Sequence, residues 1–111
     1  MLPVFSGFRF YLYSQPTDMR KSFDGLSGVV QNKLGSNPCS GDVYIFINKR
    51  RDKIKLLHWQ GAGFILYYKR LEKGTFELPR YDASTASIIL DYTKLVMIID
   101  GLSIKNIQKK K

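Results

Sequence analysis

Residues 49–77 read KRRDKIKLLHWQGAGFILYYKRLEKGTFE, and the way this stretch folds decides the rest. It holds the single Trp and the single His of the chain. It also holds eight cations (Lys49, Arg50, Arg51, Lys53, Lys55, Lys69, Arg70 and Lys73) against three acids, Asp52, Glu72 and Glu77. Apolar and aromatic residues fill the space between the charges. KIKLLHWQ (53–60) sets Ile54, Leu56 and His58 on one side and Lys53, Lys55, Leu57 and Trp59 on the other, the period of two that marks a strand. Gly61-Ala62-Gly63 is a tight turn, FILYYKRL (64–71) the next strand, and Glu72-Lys73-Gly74 a second turn into TFELP (75–79), where Pro79 ends the pairing. Upstream, VYIFIN (43–48) is apolar on both faces, as a central strand must be, and KRRD (49–52) turns it into the next. Four consecutive strands joined by short turns are a meander. The stretch thus predicts a twisted antiparallel sheet with cationic edges and turns.

The segments on either side supply the cover. FRFYLY (8–13) alternates Phe8, Phe10 and Leu12 against Arg9, Tyr11 and Tyr13, a strand with one buried face. After the breakers Ser14-Gln15-Pro16, the spacing of Met19, Phe23, Leu26, Val30 and Leu34 gives one apolar stripe and predicts a helix near 18–34. Thr17 or Asp18 is its cap and Gly35 its stop. Gly25 and Gly28 lower its helix propensity and leave room for close approach to the sheet. SNPCSGD (36–42) is a loop and RYDASTAS (80–87) a linker. Ile88–Leu90 makes a last short strand, and Asp91 caps a second, largely apolar helix, YTKLVMIID, stopped by Gly101. The fold class is therefore α+β, a mostly antiparallel sheet of about five strands. One helix lies across a face, and a second, C-terminal helix packs at an edge.

Length and composition narrow the function. A chain of 111 residues makes one domain, 1–111, with a frayed basic tail at 105–111. An apolar share of 44% and an aromatic share of 14% belong to a folded protein rather than a disordered one. No apolar run approaches the ~18 residues of a membrane span. The start MLPVFSGFRF lacks the build of a signal peptide, so a cytoplasmic protein is expected. The single Cys39 makes no internal disulfide and supports no metal site. A formal charge of +9 permits a polyanionic partner.

Two stretches, PTDMRKSFDGL (16–26) and KLLHWQGAGFILYYKRLEKGTFELP (55–79), closely resemble the signature of the small accessory protein of the insertion sequence 66 family. That protein is the product of the second open reading frame and is also called TnpB-like. Ser40-Gly41 followed by Val43–Ile47 matches the strand that lies between the two motifs in that family. The match spans essentially the whole chain and departs at Gln60, where the family usually has Asp. The resemblance implies an accessory protein of transposition, encoded beside a larger transposase, and brings with it no established biochemical activity.

The residues themselves agree with a non-enzyme. His58 sits mid-strand between Leu57 and Trp59 with no orienting partner in sequence, so it reads as a packed or surface histidine rather than a base. Cys39 lacks the company of a nucleophile. Asp18 and Asp91 read as helix caps, and Asp18 and Asp24, six apart, share no helix face, so no carboxylate cluster for Mg²⁺ is visible. No metal or cofactor is expected. The basic residues point instead to phosphates. Lys49, Arg50, Arg51, Lys53, Lys55, Lys69, Arg70 and Lys73 are the candidate DNA contacts, acting by counterion release. Arg20 and Lys21 join them, because cations at a helix start oppose the dipole and so suggest a use, or a pairing with Asp24. Trp59, Phe64, Tyr67 and Tyr68 divide between core packing and stacking on unpaired bases. The expected partners are DNA at the transposon ends and the transposase of the same element. The alternative is an adaptor that contacts the transposase without touching DNA.

Overall fold

The structure, a computed structural model, describes residues 7–82 and 84–101. The tail at 105–111 and residues 1–6 lie outside that range. In chain order the elements are β1 (Phe10–Tyr13), α1 (Phe23–Asn32), β2 (Val43–Ile47), β3 (Lys53–Gln60), β4 (Gly63–Arg70), β5 (Ser87–Leu90) and α2 (Tyr92–Ile99). The five strands form one sheet in the order β4-β3-β2-β1-β5. Its β2–β3–β4 part is the meander read from the sequence, with Ile45 opposite Leu56 and Leu57 opposite Leu66. β1 lies parallel to β2, because the chain crosses through α1 between them and returns in the same direction. β5 closes the other side of β1, antiparallel. All five residues of β2 are buried, as its two-sided apolar sequence requires.

Each face of the sheet carries a helix. Leu26 and Val30 of α1 pack on Tyr44, Phe46 and Leu57. On the opposite face Leu95, Ile98 and Ile99 of α2 pack on Phe10, Leu12, Ile45, Ile54 and Leu56. The second helix therefore covers a face and not an edge, because three of its apolar positions need a broad surface to bury against. Its start is as read: Asp91 accepts from the Lys94 N–H at 2.8 Å. Gly101, at φ 74°, follows its end.

Two elements differ from the sequence reading. TFELP forms no strand. Its alternation reflects anchoring from one side: Phe76 is fully buried and Leu78 packs beside it, while the Phe76 N–H reaches the Arg51 carbonyl at 2.6 Å. The fourth strand of the expected meander is thus an extended plug under the core, and β4 remains an edge. Helix α1 begins at Phe23, five residues later than the start expected near 18. The carbonyls of Met19 and Lys21 accept from the Lys55 ammonium and so are not available to propagate a helix. Asp18 forms a tight turn instead, accepting from the backbone N–H of Arg20 at 2.9 Å. Gly25 faces the Lys21 side chain, which a Cβ there would meet at 3.1 Å, rather than the sheet.

Candidate nucleic-acid interface

The β3–β4 hairpin sets the geometry. Gly61, at φ 65°, and Ala62 make its two-residue turn, so that Gln60 opposes Gly63 and the register runs without slip to Lys53 opposite Arg70. The β2–β3 turn and the end of β4 therefore share one end of the sheet. On the α1 side of that end Lys53, Lys55, Tyr68 and Arg70 are neighbours, since alternate residues of paired strands share a face.

The β2–β3 turn is braced by one side chain. The Asn48 side chain accepts from the N–H groups of Asp52 and Lys53, both at 3.0 Å, and donates to the Asp52 carboxylate at 2.7 Å. That donation, against some desolvation, holds the Asp52 carboxyl below the usual carboxylate range. Arg51 takes the left-handed conformation (φ 61°) that the turn demands. Lys49 and Arg50, both exposed, stand out from this scaffold.

An open hollow of about 540 Å³ lies between the turn and the segment before α1. Arg20, Lys49, Arg50 and Lys53 line it together with Asp18 and Tyr68. Arg20 grips Asp18 through two nitrogens, the shorter contact 2.6 Å. This grip, with the Arg20 N–H, pulls the Asp18 carboxyl down to about 2. Asp18 therefore stays ionised and offsets part of the local positive charge. A second hollow of about 390 Å³, lined by Lys53, Tyr68, Arg70 and Glu72, adjoins the first. Arg70 meets Glu72 at 3.0 Å in an exposed pair, the kind that holds little energy.

The remaining sequence candidates stand elsewhere. Lys55 is 5% exposed and points inward, donating to the Met19 and Lys21 carbonyls at 2.8 and 2.6 Å. Lys69 faces the other side of the sheet and donates to the Ile99 carbonyl at 2.7 Å, a cation at the C-terminal end of α2 where the helix dipole favours one. Both ammonium groups serve the fold, and neither lines either of the two hollows described above. Arg51 lines a smaller depression beside Tyr13 and Tyr81. Lys21 lies over α1 beside Gly25 and Lys33, and Arg20 pairs with Asp18 rather than with Asp24. Lys73 is exposed in the turn before Gly74. Trp59 is half-buried at the far end of the hairpin, edge-on to Phe64 at 5.0 Å. Sequence reasoning missed Asn48 as the brace of the turn; Tyr68, one of four aromatics it left between core and stacking, is the one that lines both hollows. Asn48 sits where a strand gives way to a charged turn, a place where Asn commonly bonds nearby backbone.

His58 is 3% exposed, beside the Phe8 ring at 4.9 Å, and burial pushes its imidazole below the ordinary value. Among the described residues no three His, Cys, Asp or Glu side chains are grouped to hold a metal ion. No described helix is long and apolar enough to cross a membrane.

Comparison with known proteins gives this arrangement a context. The uncharacterized protein y4jC of Sinorhizobium fredii is 30% identical over 104 residues, covering 94% of this chain and 87% of that protein. The uncharacterized protein y4hO of the same organism is 29% identical over 109 residues, covering 98% and 93%. No solved structure matches the chain. Residues 8–109 match the sequence model of the IS66 Orf2-like proteins. The chain belongs to that family, and the membership associates it with insertion-sequence transposition in an accessory role.

Proposed function

We propose that this protein is a non-catalytic accessory factor of transposition that binds DNA at the transposon ends through the basic end of its sheet. The observation that carries the reading is the hairpin register. By placing Lys53 opposite Arg70 it brings the cations of the β2–β3 turn and Arg70, distant in sequence, to two adjoining hollows at one end of the sheet. Lys49, Arg50, Lys53 and Arg70 are the phosphate contacts, with Arg20 beside them. Such contacts position a nucleic acid without reading its sequence.

Fluorescence anisotropy with a labelled transposon end and an unrelated DNA of equal length tests the proposal. Arg50→Glu and Lys53→Glu should weaken binding to both DNAs alike. Unchanged affinity in a folded double variant removes the site. A second reading, an adaptor for the transposase, draws on β5, which pairs with β1 alone and leaves Ile89 68% exposed. Co-purification with the transposase without any DNA binding at low salt favours that reading instead.

A further inference from the structure

Tyr68 stands where the two hollows meet, and it lines both together with Lys53. The ring is held from one side. The Lys55 ammonium lies 4.5 Å from its centroid, and that ammonium is itself fixed by the carbonyls of Met19 and Lys21. A tyrosine needed only to shield Lys55 would be buried in doing so, yet Tyr68 is 51% exposed. The ring is therefore a braced aromatic surface with one side toward solvent. Lys49 and Arg50 lie along one hollow beside it and Arg70 along the other.

An aromatic face with cations before and after it suits a chain whose bases are unstacked. The ring takes a base, and the cations take the phosphates on either side of that nucleotide. A duplex keeps its bases in the stack and offers the ring none. Building on the DNA-binding reading above, we infer that the ligand is single-stranded DNA, with one base stacked on Tyr68 and the flanking phosphates in the two hollows.

The experiment compares a labelled single strand of about 16 nucleotides with the corresponding duplex, using the full chain and the variants Tyr68→Ala, Tyr68→Phe and Arg50→Glu. The single strand should bind more tightly than the duplex. Tyr68→Ala should weaken it roughly 5- to 150-fold, the range that base–aromatic stacking covers, while leaving duplex binding unchanged. Tyr68→Phe, which keeps the ring, should stay within about twofold of the parent. Photocrosslinking the unaltered protein to a strand containing 5-iodouracil should place the adduct on Tyr68, which guards against misfolding of the alanine variant. Equal loss on both DNAs, no loss in folded Tyr68→Ala, or an adduct mapped elsewhere overturns the stacking site. If Arg50→Glu still weakens binding in those cases, the DNA-binding reading survives alone. Absence of binding to either DNA at low salt overturns both.

Discussion

Lys53 and Lys55 project from the same face of β3, two residues apart, and do different work. Lys53 lines both hollows, with only a loose contact to Asp52 at 3.8 Å. Lys55 is buried and satisfies two backbone carbonyls that no helix serves. Replacing each by Met separates the roles. Lys55→Met leaves two part-buried carbonyls without their donor and should lower stability by about 2–4 kcal/mol, each loss falling in the lower part, ~1–2 kcal/mol, of the range for an unmet buried group. Lys53→Met should change stability by less than about 0.5 kcal/mol and weaken DNA binding. Urea unfolding and anisotropy on both variants check the pair; equal destabilisation by the two would refute the division. Nothing in the string KIK distinguishes these lysines. Both alternate onto the polar side of a strand, and only the arrival of residues 19–21 over one of them decides which is buried.

At the level of elements, the site depends on the brace in the β2–β3 turn. Asn48→Ala removes three hydrogen bonds and no charge. It should cost about 1–3 kcal/mol and also reduce DNA affinity, because Lys49 and Arg50 lose their fixed support. Asp91→Ala is the control. It removes the α2 cap at the usual ~0.5–2 kcal/mol and should leave affinity unchanged where the protein is folded. Thermal melting and anisotropy read both, and an Asn48→Ala protein with parental affinity would show that the turn need not be braced. The strands of the meander were legible because their alternation and glycine turns agree with each other. The stretch 75–79 was not, since an extended segment anchored by Phe76 and Leu78 has the same period as a paired strand. The start of α1 was misread for a related reason: the apolar stripe continues back to Met19, but the carbonyls there are committed to Lys55.

For the molecule as a whole, the sheet brings together what the chain keeps apart. Pro16–Arg20, the β2–β3 turn and Tyr68 enclose one hollow, so both stretches that carried the family resemblance contribute to the same place. The convergence of the two basic turns followed from the antiparallel pattern in the sequence. The inward roles of Lys55 and Lys69 did not, because they depend on the helices packed over each face. With Lys49, Arg50, Lys53 and Arg70 each meeting one phosphate, log K should fall with log salt at a slope near −2.8 for a single strand and about −3.6 for a duplex. Titration at several salt concentrations measures both slopes. A slope near zero would mean that the cations contribute no phosphate contacts.

The place of β1 in the sheet bears on how the protein is made. Its outer edge is satisfied only by β5, with Phe10 facing Leu90 and Tyr13 facing Ser87. During synthesis at ~5–20 residues per second, β1 leaves the ribosome roughly 4–15 s before its partner. Through that interval the nascent chain presents an unpaired strand edge beside Phe10 and Leu12, a template for any neighbouring copy on the same message. Local hairpin formation by β3 and β4 does nothing to shorten the wait, because neither strand pairs with β1. A transcript cut short before the codon for Ser87 loses α2 as well, which leaves both the outer edge of β1 and the apolar face that Leu95, Ile98 and Ile99 cover open to other chains.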